Sequence, residues 1–320
     1  MLTTYYSTNG HLSPAAEGSL QQAFWIDLFE PSREEEQRVE GALEIEIPTR
    51  DEMREVESSS ALYFDQGGTF TTVRLVDRAA EGQARLSSVT LVLVRGHLVT
   101  IRYAEPRSFK QFVARTRKQE SIFHSAASAL LCLLETVVDR NADILEEIAD
   151  TLEPISFEIF SQNAAAMKTI AAADLGAVLK RIGSSGELAS RVRESLHSIG
   201  RAVPFLQLHL ADEPELRMRM ETLGRDVQSL MEHDNFLQTQ IQFLLDSNIG
   251  LISIQQNAIM KTLSIAAVVF LPPTLIGSIY GMNFDHMPEL HWRYGYLWAI
   301  VLMLCSAAGP LVYFRLKRWL

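Results

Sequence analysis

Polar and apolar positions follow two rhythms along this chain, a short alternation in the first third and a three-to-four-residue recurrence afterwards. Phe24 to Leu28 reads as a short strand. Ser32 with Glu35 three positions later forms a capping box, Pro31 sits just before the cap, and Glu34, Glu35 and Glu36 fill the first helical turn. Ala61 to Phe64 and Thr69 to Val76 flank Asp65-Gln66-Gly67-Gly68, and Val89 to Val94 and His97 to Tyr103 flank Arg95-Gly96, so two hairpins are expected. Residues 1–118 are thus expected to form a small mixed domain of about five strands and one or two helices.

From about Pro106 the helical period takes over. Leu134, Val138, Asn141, Leu145, Ile148, Leu152 and Ile155 are spaced alternately by four and three, which predicts a seam packed on another long helix. The outer face of that helix is acidic, with Glu135, Asp139, Asp143, Glu146, Glu147, Asp150 and Glu153. It reads as a solvated face or as a loose surface for divalent cations. A further helix begins near Asp212, with Pro214 in its first turn, and meets no other proline until Pro272. Its stripe of Leu223, Val227, Leu230, Asp234, Leu237, Ile241, Leu244, Asn248, Leu251 and Gln255 runs toward the C-terminus, so stalk and apolar segment are expected to be one rod of about 85 Å from Pro214 to Leu271. Such a rod cannot bury its seam alone. Polar Asp234, Asn248 and Gln255 on that seam predict a symmetric bundle of several copies with water or ions along parts of its axis.

The last sixty residues set the class. Thr262 to Phe284 are 23 consecutive uncharged residues and Tyr294 to Phe314 are 21 more, each about 30 Å as a helix and so long enough to cross a bilayer. Lys261 precedes the first run, Arg315, Lys317 and Arg318 follow the second, and the nine-residue loop between them holds Arg293 against Asp285 and Glu289. The positive residues place both termini in the cytoplasm. Met1 to Gly10 is polar and mixed and carries no signal peptide, so the first 260 or so residues are expected to be cytosolic. The expected divisions are 1–118, mixed α/β; 119–261, helical with the stalk; 262–284, first span; 285–293, external loop; 294–314, second span; 315–320, basic tail.

Composition adds constraints. The 29 Lys and Arg against 39 Asp and Glu give a net charge of -10, which argues against nucleic acid as a partner and favours cations. Cys132 and Cys305 lie 173 positions apart, and Cys305 is inside an apolar run, so no disulfide framework is available. No Gly-rich phosphate loop, G-x-S-x-G or H-E-x-x-H occurs, so no enzyme is expected and no cofactor is called for.

The first span ends in Gly281-Met282-Asn283, the loop continues Met287-Pro288-Glu289-Leu290, Phe270-Leu271-Pro272-Pro273-Thr274 lies within the span, and the chain closes on Lys317-Arg318-Trp319-Leu320. In these motifs the sequence resembles the CorA family of magnesium transport proteins. The match covers Leu237 to Leu320 closely and the first 200 residues in layout only. It implies an α+β cytosolic domain feeding a long helical stalk and two C-terminal transmembrane helices, assembled as a homopentameric funnel in a bacterial inner membrane. It also implies channel-like passage of hydrated magnesium, with cobalt and nickel, driven by membrane potential and gated by cytosolic divalent ions.

The resemblance marks Gly281, Met282 and Asn283 as a selectivity filter, with Asn283 holding the metal through its coordinated water. Magnesium releases water reluctantly, and neutral oxygens can hold the hydrated ion without trapping it. Gly281 permits close backbone approach, and the Met282 thioether is too soft a ligand for magnesium. Thr274, Asn257 and Asp246 match pore-lining positions, 17 and 11 residues apart and expected to share one face, while Leu263 and Met260 match a hydrophobic gate. Glu289 could form an acidic ring at the external mouth. The family senses cytosolic magnesium at carboxylates between subunits; Asp226 and the acids of 135–153 are candidates, without a residue-level match.

Two other readings share parts of the pattern. His286, Glu289 and His291 resemble a zinc-like cluster, and a zinc transporter of the same superfamily, proton-coupled in some form, is one alternative. A non-conducting membrane-tethered helical scaffold or sensor is another, though a tether has no need of Gly281-Met282-Asn283.

Overall fold

The computed structural model describes the chain except for residues 9–10, 16–19, 56, 58–60, 79–83, 119–124, 161–171, 211–213, 283–291 and 318–320. Among the described residues, seven strands form one sheet: β1 (Leu2–Thr8), β2 (His11–Ala15), β3 (Trp25–Phe29), β4 (Leu62–Asp65), β5 (Gly68–Arg78), β6 (Ala84–Val94) and β7 (His97–Arg102). Their spatial order is β2-β1-β3-β7-β6-β5-β4, and every neighbouring pair is antiparallel except β3 with β7. Two of these strands, β1 and β2, go beyond the five expected. Leu2 to Thr8 hides its strand behind hydroxyl side chains, yet Thr4 and Tyr5 are buried.

The hairpins form where the sequence puts them. Gln66 and Gly67 turn β4 into β5 with φ of 50° and 76°, and Arg95 and Gly96 turn β6 into β7 with φ of 47° and 82°. Both central residues are left-handed, the geometry that matches strand twist and that glycine tolerates best. Helix α1 (Arg33–Leu43) starts at Ser32, whose hydroxyl accepts from the Glu35 amide while the Glu35 carboxylate accepts from the Ser32 amide. It packs Val39 and Leu43 on one sheet face with Ile26, Leu28, Phe70, Val92, Val99 and Ile101.

The other face meets α2 (Arg107–Lys118) and α3 (Ala126–Phe160), with Phe112 set edge-on to Trp25 at 5.1 Å. A polar chain crosses that layer: Trp25 Nε1 donates to Thr100 Oγ1 (3.0 Å), Thr100 donates to Asp27 (2.7 Å), and Arg102 clamps Asp27 through Nε and Nη2. The Arg102 guanidinium lies over the rings of Phe29 and Phe109 at 4.4 and 4.9 Å.

The chain divides into two compact units, residues 1–165 with 177–245, and residues 166–176 with 246–320. The first contains the sheet and a helical bundle of α3, α4 (Ala172–His209) and the first part of α5 (Pro214–Tyr280). All seven seam positions expected on α3 are buried, and so are Leu223, Val227, Asp234, Leu237, Ile241, Leu244 and Asn248 on α5. Helix α4 supplies the partner that the sequence reading did not single out. Its Val178, Ile182, Ser185, Ala189, Val192, Leu196, Ile199, Val203 and Leu206 are buried at the same 4-3 spacing, a stripe disguised by serine and alanine.

This arrangement corrects the expectation for the polar seam. Asp234 is 1% exposed and accepts a 2.6 Å bond from Arg193 Nε of α4, and Asn248 donates at 3.1 Å to the Leu175 carbonyl, also of α4. Both side chains are buried against α4 and do not line an axis between copies, although Asp234 Oδ1 and Asn248 Oδ1 are buried without a hydrogen-bond partner among the described residues. Asn141 of α3 likewise donates to Ser195 of α4 at 3.1 Å.

The second unit contains the end of α5 and α6 (Gly295–Leu316). Each carries an apolar stretch long enough to cross a membrane and almost unburied. Phe270, Leu271, Leu297 and Leu304 are 62 to 71% exposed, which in water would be an aggregation hazard and in a bilayer or an assembly is the expected surface. The spans come close at Gly277, where a Cβ would lie 3.6 Å from Met303 Cε.

Candidate functional site

The candidate residues lie on and just beyond one helix. Helix α5 is unbroken from Pro214 to Tyr280, so stalk and first span are continuous, as the absence of proline between 214 and 272 predicts. At about 100° per residue, Asp246, Asn257 and Met260 fall within about 60° of one another, and Leu263 follows about 60° further round. All four are exposed on the single chain. Buried Leu244 and Asn248 lie about 160° from Asp246, so this face is opposite the one that packs on α4.

Thr274 falls on the Leu263 side of the group. Seventeen residues are about 4.7 turns, which rotates Thr274 about 100° from Asn257 but leaves it about 40° from Met260 and about 20° from Leu263. Its hydroxyl donates to the Phe270 carbonyl at 2.7 Å, leaving its oxygen lone pairs for water or an ion. Phe270 lies two residues before Pro272-Pro273, the only prolines of α5 beyond its first residue.

Gly281 and Met282 follow directly on the helix end. The Gly281 amide donates to the Gly277 carbonyl at 2.9 Å and the Met282 amide to the Ile279 carbonyl at 3.2 Å. A Cβ at Gly281 would stand 3.1 Å from the Gly277 carbonyl oxygen, a tight approach that a larger residue could meet only if that backbone gave by a few tenths of an ångström. Both residues are exposed. Asn283, His286, Glu289 and His291 lie outside the described residues.

Among the described residues no three His, Cys, Asp or Glu side chains come together as a metal-binding group. The acidic face of α3 is partly neutralised: Glu135 accepts from Arg219 Nε and Nη2 at 3.1 and 2.8 Å, Asp139 pairs with Arg115 at 3.2 Å, and Asp143 with Arg140 at 3.4 Å. Asp226 is exposed and lines a cleft of about 520 Å³ with Glu135, Asp139, Glu215 and Arg219. Sequence reasoning identified Glu135, Asp139 and Asp226 but neither Glu215 nor the arginines that interleave them. A divalent ion there would compete with Arg115 and Arg219.

A family model described as "CorA-like Mg2+ transporter protein" matches residues 21–318. The magnesium transport protein CorA of Sodalis glossinidius is 36% identical, with all of both chains covered, and that of Escherichia coli K12 is 35% identical over 94% of this chain and 93% of its own. The complete structure of the CorA magnesium transporter from Methanocaldococcus jannaschii covers 100% of this chain and 99% of its own, with a TM-score of 0.73 at 18% identity, which extends the likeness to the fold. A mixed N-terminal domain, an unbroken stalk ending at Gly281-Met282, two apolar C-terminal helices and these end-to-end matches make the chain a member of the CorA-like Mg2+ transporter family.

Proposed function

We propose that this protein carries magnesium into the cytoplasm as a homopentamer, with the outward face of α5 around a central pathway. The observation that carries the reading is the single helix from Pro214 to Tyr280, which ends at Gly281-Met282 and carries Asp246, Asn257 and Met260, all exposed, on the side away from buried Leu244 and Asn248. One two-span chain encloses no pore, so conduction requires several copies about an axis.

In this reading the Asn283 side chains and nearby backbone oxygens accept hydrogen bonds from the water shell of the ion, and Glu289 concentrates cations at the outer mouth. Leu263 and Met260, 63% and 59% exposed on the single chain, form an apolar constriction that stops flow when it dries. The first span runs over 262–284 and the second over 294–314, both termini are cytoplasmic, and the membrane is a bacterial inner membrane. Cobalt and nickel are further ions of the same charge. Cytosolic divalent ions act by bridging acids that otherwise repel between subunits.

The test is divalent-cation influx into liposomes holding the purified protein, with an inside-negative potential and magnesium compared with zinc. Magnesium influx that Asn283→Ala removes, with assembly intact, supports both transport and filter. Undiminished influx in the variant removes the filter, and zinc flux coupled to a pH gradient would replace magnesium as the cargo.

A further inference from the structure

A second site lies in the sheet domain. The segment around Arg50 and the short 3-10 turn Glu52–Arg54 faces Asp77 of β5 and Arg85 to Ser88 of β6, and the space between them is a cleft of about 440 Å³. Its charged lining is Arg50, Arg54 and Arg85 against one carboxylate, Asp77, in a chain whose net charge is -10. Three exposed guanidinium groups around one carboxylate make a local excess of positive charge, which attracts anions.

The pairing around the cleft sharpens the point. Asp77 and Arg85 are register partners across β5 and β6, yet neither makes an ion pair within 4.0 Å among the described residues. Arg54 reaches Asp51 only at that limit, 4.0 Å, with both side chains well exposed. Arg50 lies over the Tyr103 ring at 4.9 Å, which holds its guanidinium in place without using its donors. Ser87 and Ser88 add two hydroxyls to the wall, and buried Met53 with half-buried Tyr103 add an apolar part.

Forked guanidinium donors and hydroxyls suit the oxygens of a phosphoryl group, several guanidiniums suit more than one such group, and the volume lies in the range that holds a nucleotide-sized ligand. We propose that this cleft binds a polyphosphate anion, with Arg50, Arg54 and Arg85 as the charge partners and Ser87 and Ser88 as further donors. The site belongs to the sheet domain alone and stands whether or not the transport reading holds.

The experiment is a calorimetric titration of the full chain in detergent, without magnesium and with a chelator present, using ATP, inorganic pyrophosphate and inorganic phosphate as probes. The expected result is saturable polyphosphate binding that Arg50→Ala with Arg85→Ala weakens by about tenfold or more. Arg95→Ala, which removes an arginine paired with Glu44 elsewhere on the surface, should leave it unchanged. Pyrophosphate binding equal to ATP would mean that the phosphoryl groups alone are read, and tighter ATP that the Tyr103 and Met53 wall is read too. Arg50 and Arg85 are exposed, so the double variant keeps its melting temperature. No binding of either polyphosphate at about 5 mM, or equal loss in the double variant and Arg95→Ala, would overturn the site.

Discussion

Asp27 and Asp234 are both buried carboxylates facing an arginine, and their surroundings make them respond differently. Asp27 accepts from Thr100 and twice from Arg102, and Arg102 is itself enclosed by Phe29 and Phe109. Asp27→Ala strands a buried guanidinium, at a cost of about 3 to 5 kcal/mol. We expect a clear fall in the melting temperature of the detergent-solubilised protein; an unchanged transition would contradict the assignment. Asp234 has its carboxyl raised above the ordinary value by burial, and the Arg193 guanidinium and His197 oppose that rise without cancelling it. A raised value means that the folded state holds the proton more tightly than the unfolded one. The resulting stabilisation is complete below the unfolded carboxylate value and fades as pH rises through the folded one. The melting temperature of Asp234→Asn, relative to the unsubstituted protein, should therefore climb from about pH 4 to about pH 7. A flat difference across that range would remove the burial effect.

At the scale of elements, α4 and α5 approach each other through glycine. A Cβ on Gly224 would meet Val203 Cγ1 at 3.6 Å, and one on Gly200 would meet Val227 Cγ1 at 3.5 Å, so each glycine receives a valine of the other helix. A methyl fits at ordinary contact distance, whereas a larger side chain does not. Gly224→Ala should stabilise by about 0.5 to 1 kcal/mol through helix propensity, and Gly200→Leu should destabilise by about 1 to 3 kcal/mol through overpacking. Thermal melts of the two variants must move in opposite directions. The same pair of helices shows what a single sequence can convey. The stripe on α5 says that a face is buried, and the structure bears this out to Asn248 except at Leu230, which is half-buried. The stripe does not say what buries it, because a partner from the same chain and one from another copy demand the same 4-3 spacing. Hairpins and the Ser32 cap were legible because their geometry is settled within four residues. Strands β1 and β2 were not, because neither shows an apolar alternation: β1 is held by β3, and β2 is an edge strand paired, among the described residues, only with β1. The motif Gly281-Met282-Asn283 was legible as a pattern, and the close Gly281–Gly277 approach gives a physical reason for its first residue.

For the whole molecule, the reading requires a specific orientation and stoichiometry. Protease added outside right-side-out vesicles should spare residues 1–260, and cleavage there would reverse the topology. The protein in detergent should have a mass of about five times the 35.9 kDa chain once bound detergent is subtracted; a monomer or dimer that still conducts would refute the central pathway. Helix α5 also has a mechanical character. Its ladder of amide-to-carbonyl bonds runs from the stalk into the apolar segment, so torque applied at one end is carried along a stiff shaft. Pro272 and Pro273 cannot donate to the carbonyls of Val268 and Val269, two successive rungs lost in the middle of the span. The shaft is therefore most compliant between 268 and 273, and bending or twisting strain gathered along the stalk is released there, eight residues before Gly281.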